Sequence, residues 1–190
     1  MASYAVAVAD GGGGRSRIFE YKSPYDYRTD QEWLRDVAAA KTRYISYLNE
    51  YKKTANQIID LNLQLMAISN TKGFLFECKN NIQSADTMMS KVNENNIQYD
   101  YGSTFHPMIE KLTEKAGNKV CGFDESVDEL NSIRTSVKKD LKSLGSELED
   151  YYHELVHILN EYYFIVPYYN LDFPNSDYTN NLIAQATEVE

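Results

Sequence analysis

The chain has 190 residues, with 28 acidic and 19 basic side chains and a formal net charge of −9. This length suits one domain with a substantial core. The acidic balance argues against nucleic acid and anionic membrane surfaces as partners, because both attract clustered cations, and no apolar run approaches the roughly 18 residues of a membrane-spanning helix.

Residues 1–28 predict an extended N-terminal arm. Small and apolar side chains alternate weakly at its start and no basic leader precedes them, so we expect no secretory signal peptide. Residues 11–14 are all glycine and predict a flexible break, after which aromatic residues gather around Pro24. Without such a signal, the protein is expected in the cytoplasm or exported by a route that needs no cleaved leader.

A capping box predicts that the first long helix begins near Thr29. Residues 29–32 read Thr-Asp-Gln-Glu, in which the threonine oxygen accepts from an unpaired helical amide and the glutamate reaches back. Apolar residues then recur at heptad spacing and indicate one packing seam: Leu34, Val37, Tyr44, Leu48, Tyr51, Ala55, Ile58 and Leu65. Lys41 and Asn62 also occupy seam positions, where a polar residue fixes the register but weakens packing.

Two stretches that contain glycine predict breaks between helices. Residues 70–73 read Asn-Thr-Lys-Gly and predict the end of the first helix. A second helix is expected over residues 75–95, and a polar loop over residues 93–101. A short helix is then expected to begin near Pro107, and residues 117–123 are expected to end it and turn the chain.

The last long helix is predicted to begin after a cap at Asp124 and to stop at Pro167. Its apolar residues recur every three or four positions, with one gap of seven, which indicates a second seam. These residues are Val127, Leu130, Val137, Leu141, Leu144, Leu148, Tyr151, Leu155, Ile158 and Tyr162.

These elements predict an all-α fold, an elongated antiparallel helical bundle of two long and two shorter helices over residues 29–166. Neither long helix can bury its own stripe, so the helices are expected to pack against each other. Residues 167–190 combine Asn, Asp and Pro with several aromatic residues and predict an extended C-terminal tail. Both termini are expected to fold back on the bundle or to reach into neighbouring subunits.

One motif in the last helix is typical of catalysis. Residues 153–157 read His-Glu-Leu-Val-His, the H-E-x-x-H pattern, and this stretch resembles the motif of zinc metallopeptidases. The resemblance implies that His153 and His157, one helical turn apart, are zinc ligands and that Glu154 is the general base acting on the metal-bound water. It covers these residues and nothing else in the chain.

Three features of the sequence oppose a zinc site. At about 100° per residue, both imidazoles point away from the seam residues Leu155 and Ile158, so we expect them to face water. A catalytic zinc needs three protein ligands, and Glu161 lies one further turn along the helix. The chain before the motif is mainly helix, whereas zinc peptidases of this type set the motif helix beside the edge of a sheet.

Apart from the H-E-x-x-H pattern, the sequence contains no recognisable catalytic motif. Cys78 and Cys121 lie in no C-x-x-C pair and are expected to be buried or half-buried thiols. We therefore interpret the chain as a non-enzymatic helical protein for protein–protein interaction or structural assembly, with no cofactor. Its partner is a second copy, in a homo-oligomer, or another protein. The alternative is a small zinc-dependent metallopeptidase that uses His153, Glu154 and His157.

Overall fold

The structure is a computed structural model and describes residues 17–95 and 102–188. Within these ranges a short 3-10 helix, Arg17–Tyr21, precedes four α-helices: α1 (Asp30–Asn95), α2 (Gly102–Glu161), α3 (Ile165–Tyr169) and α4 (Ser176–Thr187). No described residue lies in a strand. The predicted all-α helical bundle with two long helices is therefore confirmed, but the two shorter helices are α3 and α4 rather than the two that were predicted before residue 124.

The predicted breaks inside the long helices are wrong. Residues 70–73 lie within α1, and residues 117–123 lie within α2, which also begins before Pro107. A helical glycine costs only about 1 kcal/mol relative to alanine, so a single glycine does not by itself end a helix. The predicted loop over residues 93–101 overlaps the end of α1, and residues 96–101 lie outside the described residues.

The start of α1 follows the predicted capping box. The Thr29 amide donates to the Glu32 carboxylate at 2.7 Å, and the Glu32 amide donates to the Thr29 hydroxyl at 3.2 Å. Two of the helix's unpaired amides are satisfied in this way. The bond from the Thr29 amide, with a second one that the Thr29 hydroxyl donates to the Glu32 carboxylate at 2.8 Å, lowers the pKa of Glu32, because both stabilise its charged form.

The end of α2 differs from the prediction at Pro167. The helix stops at Glu161, and Pro167 instead lies near the start of α3, where its missing amide leaves no hydrogen bond unmade. Asn170 closes α3 in the left-handed conformation, with φ of 50°, and its amide donates to the Val166 carbonyl. Asparagine tolerates this conformation better than most residues, so the chain reverses here without a glycine.

The described chain forms two compact units. The first unit comprises residues 17–59 and 142–188, and the second, which we call the hairpin unit, comprises residues 60–95 and 102–141. In the first unit α1 and α2 are antiparallel. The ring centroids of Trp33 and Tyr162 lie 5.8 Å apart, and those of Tyr47 and Tyr151 lie 6.3 Å apart.

The predicted seams build the core of the first unit. Their buried members are Val37, Tyr44, Leu48, Tyr51, Ala55, Ile58, Leu148, Leu155, Ile158 and Tyr162. Lys41 and Asn62, the polar seam residues, are half-buried. The core also takes Ile18 from the N-terminal segment, and the Tyr21 ring stacks on Phe164 with 4.5 Å between centroids. The described part of the N-terminal arm therefore folds back onto its own chain.

The prediction of an extended C-terminal tail is wrong, because residues 176–187 form α4. The Asn175 side chain caps this helix by accepting from the Tyr178 amide at 2.9 Å. Its buried residues are Thr179, Leu182 and Ala186. Two of these three side chains are small or polar, so they produce a weak apolar pattern in the sequence.

The segment after α3 runs parallel to α1, and two contacts join residues with the same separation of 128 positions. The Tyr44 hydroxyl donates to the Asp172 carbonyl at 2.7 Å, and the Tyr51 and Thr179 hydroxyls lie 2.7 Å apart. Because the Thr179 hydroxyl already donates to a carbonyl of its own helix, Tyr51 must be the donor. Burial raises the pKa of Tyr44 to about 12, so its hydroxyl keeps its proton at neutral pH.

In the hairpin unit α1 and α2 are again antiparallel. The Lys72 ammonium donates to the Asn131 side chain at 2.6 Å, and the Lys79 ammonium lies 2.6 Å from the Asp124 carboxylate. Among the described side chains of this unit, the buried apolar ones are Ile68, Val137 and Leu141. Two helices cover only the faces that they turn toward each other, so this unit buries little apolar surface for its size.

Candidate interaction surface

The residues of the H-E-x-x-H motif lie on the outer face of α2. The side chains of His153, Glu154 and His157 are exposed, whereas Leu155 and Ile158 are buried. The predicted direction of the two imidazoles is therefore confirmed. Within residues 17–95 and 102–188, no three His, Cys, Asp or Glu side chains come together in a group that can hold a metal ion. The motif thus offers two imidazoles on a solvent-exposed helix surface.

Cys78 is a free, half-buried thiol on α1, as expected. The side chain of Cys121 lies outside the described residues.

The hairpin unit carries an aligned set of exposed apolar side chains on α1. Leu63, Met66, Phe74 and Met88 are 58, 63, 64 and 67% exposed, respectively, and we call them the α1 stripe. At about 100° per residue, the four positions fall within an arc of roughly 80° on the helix. They therefore lie on one face of α1, which also carries the exposed Asn70, Glu77 and Asn81.

The α1 stripe lies on the side of the helix that is turned away from α2. Ile68 and Lys72, which face α2, lie about 160° around the helix from the middle of the stripe. No described element of the hairpin unit covers this side, which is why the stripe is solvent-exposed. Phe76 is 63% exposed but lies elsewhere on the circumference, so it is not part of the stripe.

The first half of the stripe, from Leu63 to Phe74, lies in a stretch that is nearly free of charge. Residues 61–71 contain no charged side chain, and residues 73–76 contain none either. The intervening Lys72 is engaged with Asn131 on α2. On a chain with a net charge of −9, this face combines apolar side chains with few charges, and the exposed Glu77 is the one charged residue on it between Leu63 and Met88.

Burial of the stripe by a partner would contribute substantially to the free energy of binding. Complete burial of a leucine, methionine or phenylalanine side chain contributes about 1.5–3 kcal/mol. With four such side chains roughly two-thirds exposed, covering the stripe would contribute on the order of 4–7 kcal/mol before the entropy of association is subtracted. The stripe is therefore the part of the hairpin unit that gains most from a protein partner.

Sequence reasoning did not find the stripe. It placed a break at residues 70–73, and a broken helix gives no common face to Leu63 and Met88. Once α1 is continuous, the recurrence of apolar residues on the face opposite the seam becomes visible. Ala85 is exposed and also lies on the stripe side of α1.

The chain matches no family model, no curated protein and no solved structure. None of the described helices contains a segment that is both long and apolar enough to cross a membrane. The functional inference therefore rests on the geometry and chemistry of the described residues.

Proposed function

We propose that this chain is a non-enzymatic helical subunit that functions by packing against other protein chains, with the α1 stripe as its contact surface. The observation that carries the proposal is the alignment of four large, exposed apolar side chains on the uncovered face of α1. Single exposed apolar residues are normal on protein surfaces, whereas a contiguous apolar patch is typical of interaction sites.

The composition of the stripe supports a protein partner. Phenylalanine and methionine are enriched at the cores of protein interfaces, from which charged residues are depleted. Met66 and Met88 are also unbranched and adapt readily to a partner's side chains. A helix face with anchors at such spacing is the usual way in which one helix recognises another.

Site-specific photo-crosslinking in the cells that produce the protein tests this proposal. A benzophenone amino acid is introduced at Phe74, on the stripe, or at Phe76, which is almost equally exposed but off the stripe. We expect abundant protein adducts from position 74 and few from position 76, because only the stripe is a contact surface. Equal yields at the two positions, or no adduct at position 74, would contradict the proposal.

The competing function is a zinc-dependent peptidase, favoured by the spacing of His153, Glu154 and His157 alone. Its test is the zinc content of protein purified without added metal, compared with a His153→Ala variant. One equivalent of zinc that disappears in the variant would replace the interaction proposal with the enzymatic one. Our proposal predicts no stoichiometric zinc in either protein.

A further inference from the structure

We propose that the occupant of the α1 stripe is a second copy of this chain, bound antiparallel about a two-fold axis that passes near residues 74–77. This inference rests on the proposed function, since it names the partner of the same surface. It is carried by the charge distribution, by the self-complementary order of residues along the stripe, and by the size of the contact.

Electrostatics favours the stripe as the place where two copies meet. Two chains that each carry a net charge of −9 repel one another over most of their surfaces. The stripe is the least charged part of this surface, because residues 61–71 and 73–76 carry no charge, and between Leu63 and Met88 Glu77 alone is charged on the stripe side of α1. A partner suited to this face is rich in apolar side chains and carries little charge, and the same face on a second copy has these properties.

The order of residues along the stripe is self-complementary in an antiparallel pair. When Leu63 of one copy lies opposite Met88 of the other, Met66 lies opposite Ala85 and Asn70 lies opposite Asn81. These positions are all exposed in the single chain and share the stripe side of α1. The two outer pairs set Leu63 and Met66 against apolar neighbours, and the central pair sets Phe74 against Glu77.

The polar positions fit the same register. Asn70 and Asn81 carry amide groups that can both donate and accept, so they can bond each other across the interface. A parallel, in-register pair would instead place Glu77 directly opposite Glu77, and like charges in contact are unfavourable. The antiparallel arrangement sets Glu77 opposite Phe74 and offsets the two Glu77 positions by three residues, about 4.5 Å along the helices.

The size of the contact sets the expected affinity. From Leu63 to Met88 the stripe is about 38 Å long at 1.5 Å per residue. One helix face of this length lies at the lower end of the range for specific interfaces, which bury roughly 800 Å² per partner. We therefore expect a reversible dimer with a dissociation constant of the order of micromolar.

Analytical ultracentrifugation of the full chain over a concentration series tests the dimer. We expect Phe74→Asp to raise the dissociation constant at least about tenfold, because it places a carboxylate beside the two-fold axis. Phe76→Asp, the matched control, should leave it unchanged within about twofold. Glu77→Gln should tighten the dimer, since it removes a charge from the interface. Circular dichroism confirms that each variant keeps the helical content of the parent.

Disulfide trapping tests the orientation in a Cys78→Ser, Cys121→Ser background. Phe74→Cys alone should form a covalent dimer on mild oxidation, because position 74 lies near the axis. Leu63→Cys alone should not, whereas a mixture of Leu63→Cys and Met88→Cys chains should form the mixed dimer. Dimers of Leu63→Cys with itself would overturn the antiparallel arrangement.

The two proposals fail in different ways. If the chain stays monomeric at every concentration but position 74 forms photo-adducts with a different protein, the dimer proposal is wrong. The proposal that the stripe is an interaction surface is then supported. A monomeric chain that forms no adduct at position 74 overturns both.

Discussion

Replacing Gly145 by leucine is expected to dislodge α4 from the first unit and to lower the free energy of unfolding by about 1–3 kcal/mol. Gly145 lies in α2 where α4 packs most closely. A Cβ at this position would lie 3.0 Å from the Ala186 Cβ and 3.3 Å from the Thr187 Cγ2. The Ala186 Cβ is fixed to its backbone and cannot turn aside, so the whole helix must move.

Gly117→Leu is the matched control, since Gly117 is also in α2 and a Cβ there meets nothing within 4 Å. Leucine is a better helix former than glycine, so this variant should gain up to about 1 kcal/mol. Urea denaturation gives the stabilities, and hydrogen exchange of the α4 amides reports whether α4 is still docked. Equal stabilities for the two variants would show that α4 does not pack against Gly145.

Removing the guanidinium of Arg28 is expected to loosen the N-terminal segment from the aromatic core. Arg28 bonds the Asp26 carboxylate at 2.5 Å, the Tyr162 hydroxyl at 3.1 Å and Asp36 at 3.2 Å. Its guanidinium carbon also lies 4.8 Å from the centre of the Trp33 ring. One side chain therefore joins the segment before α1 to α1 itself and to the residue that directly follows α2.

Arg28→Met should lower the free energy of unfolding by about 1–2 kcal/mol, mostly through lost hydrogen bonds and the cation–π contact. The ion pairs themselves contribute little, because the Arg28 side chain is 32% exposed and solvent screens them. Trp33 is the single tryptophan, so its fluorescence reports the change directly. Unaltered emission and stability in the variant would refute this role for Arg28.

Acid should produce the same change in the parent protein. Hydrogen bonds from Arg28 hold the pKa of Asp26 at about 2, below its ordinary value of 3.8. A carboxyl group whose pKa is lower in the folded state stabilises folding above its unfolded pKa, and that stabilisation is lost as the pH falls from about 4 toward 2. We expect a change in Trp33 emission in this window, and its absence in Asp26→Asn.

Periodicity and local capping chemistry predicted much of this fold. The seam residues from Val37 to Ile58 are buried because a repeat of three and four residues defines one helix face wherever the helix is continuous. The hydrogen bonds of the Thr29 capping box are local and independent of tertiary packing. The outward direction of His153 and His157 follows from the same helical geometry.

The features that sequence reasoning missed depend on contacts between distant residues. The glycines at residues 70–73 and 117–123 end no helix, because one glycine costs a continuous helix only about 1 kcal/mol. The helical state of α4 depends on the space that Gly145 leaves for Ala186, 41 positions along the chain. The four stripe residues share a face only because α1 is continuous. The break that was predicted at residues 70–73 therefore hid their alignment.

The central claim is that the α1 stripe is covered in the working protein, and thiol reactivity inside cells tests it most directly. Met66 and Phe76 are equally exposed in the single chain, at 63% each. In a Cys78→Ser, Cys121→Ser background, Met66→Cys and Phe76→Cys are treated with a membrane-permeant maleimide. The account predicts that the thiol at position 66 reacts several-fold more slowly than the thiol at position 76 in the native protein. In protein denatured with urea, the two thiols should react at the same rate. Equally fast reaction at both positions in the native protein would contradict it.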